Sequence, residues 1–216
     1  MKKILLLVTI LNCALSYGQM IGIKGGLNLS TPTKDSNLDE QKSKIGFNVG
    51  AFVNVPISEK VSIQPEVLYS QYGSKEKLTT SRIKNTTTIV TNSSISVYLD
   101  YLVLPIMFQY KLIPSLYLEA GPELGIRINS KVKGKRIETY TTSGISSTYE
   151  FDNNGTLRNL NAFNFGIGIG AGYWITETLG ANARFVAGFT DNVKDRNAGE
   201  KIKNNVFQIS VSYKFK

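Results

Sequence analysis

From Ile21 onward the chain alternates, with apolar side chains at every second position and small or polar ones between them. The clearest stretch is 118–129, where Leu118, Ala120, Leu124, Ile126 and Ile128 interleave with Glu119, Gly121, Glu123, Gly125, Arg127 and Asn129. In 163–173, Phe163, Phe165, Ile167, Ile169, Ala171 and Tyr173 alternate with Asn164 and with Gly166, Gly168, Gly170 and Gly172. Comparable stretches cover 21–29, 47–55, 61–70, 102–111, 181–190 and 207–215. A period of two is the signature of a strand with two different faces. No 3.6-residue stripe of useful length appears, which argues against a helical domain.

The eight predicted strands are joined by connections of two kinds. Short turns fall at 56–60, 113–115 and 175–178, and long polar stretches at 31–44, 74–94, 132–159 and 191–203. Short turns on one rim and long loops on the other are the pattern of an outer-membrane barrel, with both chain ends on the periplasmic rim. Segments 86–90 and 146–151, inside two long loops, have strand character of their own. As hairpins they would extend the wall outside the membrane and offer edges to partner strands.

Alternation does not by itself say which face is inside. A soluble secreted or periplasmic ligand-binding β-barrel, the alternative reading, turns its apolar face inward. The polar faces here carry Lys24, Glu66, Glu119, Glu123, Arg127, Arg184 and Lys214 among many glycines. A face toward water would be poor in glycine, which weakens an exposed strand. Glycine at alternate places instead predicts a crowded lumen, where small residues make room for long charged ones. The fold expected is therefore all-β: residues 19–216 as an eight-stranded antiparallel up-and-down transmembrane β-barrel with a side-chain-filled lumen. Those seven ionic residues would pair inside it as a charge network. Tyr69, Tyr110, Tyr173, Tyr213 and Phe215 lie near strand ends, where an interfacial girdle belongs.

The first residues read as an address. Lys2 and Lys3 precede an apolar run at 4–11, and Ser16-Tyr17-Gly18 supplies the small residues of a cleavage site, giving a signal peptide at 1–18 and export to the outer membrane. Cys13 follows Asn12 rather than a small residue, so lipidation is not expected. Cleavage would leave 23 basic against 16 acidic residues.

Composition narrows the chemistry. The single Cys excludes an internal disulfide, and the absence of His excludes His triads, His metal sites and His switches. No cofactor, metal or catalytic residue is expected, and the chain does not read as an enzyme. Glu119 and Glu123 share a face ~13 Å apart along the strand, too far for a glycosidase pair. An envelope enzyme built on Glu66, Glu119 or Glu123 is the competing reading of these carboxylates. Gly166 to Gly170 mimic a dinucleotide fingerprint but lie along one strand rather than at a strand-to-helix turn. Basic loop residues Lys75, Lys77, Arg82, Lys84, Lys131, Lys133, Lys135 and Arg136 would meet lipopolysaccharide phosphates or a partner at the outer surface. Export makes a nucleic-acid partner inconsistent with this reading.

Ile21-Gly22-Ile23-Lys24-Gly25-Gly26-Leu27-Asn28 resembles the opening of PorT-like outer-membrane β-barrel proteins of Bacteroidota. So do 63–73 (IQPEVLYSQYG), Tyr101-Leu102-Val103-Leu104-Pro105, Leu118-Glu119-Ala120-Gly121-Pro122 and the closing Tyr213-Lys214-Phe215. Val103 stands where that family commonly has an acidic residue. The resemblance spans the mature chain and implies an eight-stranded outer-membrane barrel. Its implied role is structural or interaction-based through external loops, as an accessory to an envelope or secretion complex. The implied partners are outer-membrane lipid, lipopolysaccharide and an envelope protein.

Overall fold

The computed structural model describes residues 19–33, 39–194 and 201–215. The signal peptide assigned to 1–18 lies outside them, as do parts of the loops predicted at 31–44 and 191–203. The strands are β1 (Met20–Pro32), β2 (Glu40–Pro56), β3 (Val61–Lys84), β4 (Thr87–Lys111), β5 (Leu116–Thr142), β6 (Ile145–Asp152), β7 (Gly155–Thr156), β8 (Phe163–Trp174), β9 (Leu179–Gly188) and β10 (Asn204–Lys214).

Eight of them form a closed ring in the order β1-β2-β3-β4-β5-β8-β9-β10, with β10 returning to β1 and every pairing antiparallel. Each wall strand holds all or most of one of the alternating stretches. The three tight connections lie on the rim where β1 begins and β10 ends, since Gly22 pairs with Lys214. Closure gives every wall strand two neighbours, so no backbone edge faces lipid.

The wall is uneven in height. β3, β4 and β5 run far beyond the other strands on the long-loop rim, pairing up to Lys84–Thr87 and Thr87–Thr142. Above Ile126, β5 loses β8 as its partner and takes β7 and then β6. β3 to β6 thus form a four-stranded blade standing on the barrel. The thirteen residues of β4 from Thr87 to Leu99 reach roughly 40 Å at the strand rise. The stretches at 74–94 and 132–159 are therefore mostly strand, because their Thr, Ile, Val and Tyr residues favour an extended backbone. Ser143 and Gly144, both at positive φ (49° and 82°), make the two-residue turn from β5 to β6.

Burial alternates as strictly as the sequence. On β10, Val206, Gln208, Ser210 and Ser212 are buried while Phe207, Ile209, Val211 and Tyr213 are exposed. On β8, Phe163, Phe165, Ile167, Ile169 and Tyr173 face out. The polar set faces in, the reverse of a soluble barrel. The outward apolar belt is the surface lipid covers, and it carries Tyr110, Tyr173, Tyr213 and Phe215 at its short-turn rim.

The belt and the blade should respond differently to charge. Ile169→Arg, in the middle of the lipid-facing surface, is expected to lower the free energy of unfolding by ~2–4 kcal/mol in lipid vesicles. Ile83→Arg, more exposed but on the blade, is expected to change it by less than about 0.5 kcal/mol. Equal costs in a denaturant titration would contradict the placement of the lipid boundary.

Candidate functional site

The inner face of the ring brings four charged residues into one cluster. Lys24 of β1, Glu66 of β3, Glu119 of β5 and Arg184 of β9 are each no more than 3% exposed. The Arg184 guanidinium donates Nη1–H and Nη2–H to the two oxygens of Glu66 at 3.0 and 2.8 Å. Its Nε–H goes to Glu119 Oε1 at 2.8 Å. Lys24 Nζ lies 3.4 Å from both Glu66 oxygens. Two cations and two carboxylates balance. Amides fill the remaining lone pairs: Gln64 donates to Glu66 at 2.8 Å, and Asn182 and Gln109 donate to Glu119 at 3.2 Å each. Asn54 extends the network, donating to Gln109 at 2.9 Å.

Glycine makes this crowding feasible. A Cβ at Gly168 would meet Arg184 Cδ and Met107 Cε at 3.3 Å. A Cβ at Gly172 would sit 2.2 Å from the Tyr117 ring. The glycine row of β8 is the floor over which these long side chains lie.

The other three predicted members of the network stand apart. Glu123 is buried in the lumen but has no ion-pair partner among the described residues; it accepts the Tyr72 hydroxyl at 2.7 Å. Arg127 is only partly buried and donates to the carbonyls of Asn161 and Leu160 at 3.2 and 2.8 Å. Arg127 pairs with buried Tyr101 and so keeps the inward side, but it stands at the height of the apolar residues above the ion cluster; the next rung, where Asp100 faces Asn129, is where β5 carries an extra residue. Arg127 therefore anchors the loop between β7 and β8. Lys214 lies at the short-turn mouth, 3.4 Å over the Trp174 ring.

The outer half of the lumen has a character the alternation did not predict. Leu68, Tyr72, Val97, Leu99, Tyr101, Val103, Val186 and Val206 pack into an apolar plug, with Leu157 and Leu160 folded down onto it. The Leu160 carbonyl held by Arg127 and the Leu157 carbonyl bound by Ser130 at 3.0 Å fix that cap. The signal was present in β4, where Leu102, Val103 and Leu104 are apolar on both faces. A strand apolar on both sides has both sides covered. Polar cluster and apolar plug fill the middle and outer lumen, and a cavity of about 510 Å³ lined by Asn54, Ser62, Gln109, Tyr117, Trp174 and Lys214 lies at the short-turn mouth.

The predicted basic residues all lie on the blade and are exposed, but the register divides them. Lys75 pairs with Ser96, which pairs with Lys133; Lys77 pairs with Ser94, which pairs with Lys135. Paired residues share a side, and this row, with Lys131, continues the outward face of the barrel. Arg82, Lys84 and Arg136 share the opposite side, continuous with the lumen lining, where Arg136 lies 5.1 Å from the Phe151 ring. Among the described residues no group of His, Cys, Asp and Glu is arranged to hold a metal.

The buried cluster sets a test of its own. Arg184→Met leaves two carboxylates against one ammonium and is expected to cost ~3–5 kcal/mol in denaturant unfolding. Adding Glu119→Gln restores neutrality, so the double variant should be more stable than Arg184→Met alone, with a coupling of ~0.5–3 kcal/mol. Additive losses would mean the pair is not coupled.

Solved outer-membrane barrels are similar to the chain at low identity. Ail, the attachment invasion locus protein of Yersinia pestis, is 10% identical, with 91% of this chain and 98% of Ail covered and a TM-score of 0.45. Neisserial surface protein A is 12% identical, with coverage of 92% and 99% and a TM-score of 0.48. The N-terminal β-barrel domain of Pseudomonas aeruginosa OprF is 11% identical, with coverage of 90% and 97% and a TM-score of 0.30. No curated protein matches the sequence. The sequence model of one family, the outer membrane protein beta-barrel domain, matches residues 18–194, nearly the whole ring together with the blade. The chain belongs to that outer-membrane β-barrel family, and it resides in the outer membrane.

Proposed function

We propose that this chain is a non-catalytic interaction protein of the cell envelope, in which a plugged barrel serves as the membrane mount for an external docking blade. The observation that carries the reading is β6. All eight of its residues are exposed, and among the described residues it pairs on one side only, with β5. An unpaired edge standing clear of the membrane is a template for a partner strand. Main-chain hydrogen bonds would supply affinity, and Tyr149 and Phe151, 55% and 41% exposed, would supply side-chain contacts. The partner class is an envelope protein with an extended segment. An accessory role in a larger envelope or secretion assembly, as a PorT-like protein would have, belongs to the same reading. So do lipopolysaccharide phosphates as ligands of the blade's basic residues.

The filled lumen supports a mount rather than a conduit. The buried carboxylates are engaged with Arg184, Lys24 and Tyr72, which favours a structural role over an enzymatic one.

A photo-cross-linking residue at Thr148, introduced in whole cells, tests the docking edge. The expected outcome is a discrete cross-linked protein that disappears when β6 is replaced by a short turn, while the barrel keeps its heat-modifiable migration. No cross-link from Thr148, or an unchanged one after β6 is removed, would refute edge docking.

A further inference from the structure

The outward surface of the wall changes chemistry along its own strands. Toward the barrel it is apolar, with Leu102, Leu104, Leu124, Ile126 and Ile128 exposed to lipid. One step higher come Gln71, Asp100 and Asn129, where Asn129 donates to Asp100 at 2.8 Å. Immediately above stand Lys75, Lys131 and Lys133, grouped around Ser96 and Tyr98.

These three lysines differ from their neighbours in what holds them. Lys77 and Lys42 are both engaged by Glu40, at 2.7 and 2.5 Å, and Lys135 is engaged by Glu150. Lys75, Lys131 and Lys133 have no acidic partner within ion-pair distance among the described residues. Lys75 and Lys133 flank Ser96 on adjacent strands, so their backbones are ~10 Å apart, and Lys131 is ~7 Å from Lys133 along β5. At that backbone spacing lysine side chains are long enough to reach a single small anion. Lys44, 4.1 Å over the Tyr98 ring, adds positive charge beside the group.

We propose that Lys75, Lys131 and Lys133 form a binding site for the phosphate of an outer-leaflet lipid. The position selects that source: the acyl chains of such a lipid would lie on the apolar belt directly beneath, on the same face, while its phosphate stands at the height of the lysines. The Ser96 hydroxyl and Tyr98 lie between the cations as hydrogen-bonding groups. Arg82, Lys84 and Arg136 take no part, because they face the other side of the blade. The inference rests on the reading of blade lysines as lipopolysaccharide ligands, but its site is separate from the β6 edge, so either can fail without the other.

Native mass spectrometry of the refolded full barrel tests this, with bisphosphorylated lipid A and chemically dephosphorylated lipid A as probes. Wild-type protein should retain the phosphorylated lipid and lose most of that retention with the dephosphorylated one. Each lysine near a lipid surface is worth about fivefold, so Lys75→Gln/Lys131→Gln/Lys133→Gln should weaken retention on the order of 100-fold. Arg82→Gln/Lys84→Gln/Arg136→Gln removes the same charge from the opposite face and should leave it within about twofold of wild type. Equal losses in the two triple variants would reduce the effect to net charge and overturn the proposal. So would equal retention of the two lipids by wild-type protein, a result that needs no variant to fold.

Discussion

A strand in hydrocarbon has no water to satisfy its backbone, so the sheet must close on itself. Everything else in this molecule follows from that requirement. Closure of β1 against β10 leaves one face for lipid and one for the interior, and the alternating sequence assigns residues to each. Because lipid takes the apolar set, the charged set is confined to a narrow lumen. Buried charges must then find one another, and here they do so around a single guanidinium.

Arg184 is placed to satisfy two carboxylates that come from strands on different parts of the ring. Glu66 approaches from β3 and Glu119 from β5, while Lys24 offsets the second negative charge. The cluster therefore ties β1, β3, β5 and β9 across the interior, something main-chain bonds between adjacent strands cannot do. Its geometry depends on glycine as much as on charge, since Gly168 and Gly170 lie against Arg184. The apolar plug is a second, independent closure at the outer mouth, and Arg127 is tied to its cap rather than to the ions. Two layers of different chemistry block the lumen above its short-turn mouth without a helix or inserted domain among the described residues.

The wall was legible in the sequence because strand alternation is a local property that needs no partner to be read. The inward placement of Lys24, Glu66, Glu119 and Arg184 follows from the same parity. What parity cannot supply is register. Arg127 shares the parity and the inward side of Glu119 and Glu123, but it pairs with Tyr101 at the height of the plug, where loop carbonyls are within reach. Lys214 shares it too, yet lies at a mouth where Trp174 is the nearest partner. The basic loop residues formed one group by composition and divide into two faces only when β3, β4 and β5 are aligned. The plug was obscured for a different reason: its residues come from β3, β4, β9 and β10, and only the doubly apolar run in β4 betrays it locally.

The height of the lipid boundary is written into the wall by this same local chemistry. On the outward face of β3, β4 and β5, apolar side chains give way to Gln71, Asp100 and Asn129 within a single rung, at the position where β5 carries its extra residue. Such an irregularity increases twist and re-aims a strand. At this height β5 also parts from β8 and begins to pair with the loop strands. One structural event therefore ends the ring, begins the blade and moves the surface from hydrocarbon to cation. An open strand edge and a lysine face both lie above it because only there is an uncovered backbone or an exposed ammonium compatible with its surroundings.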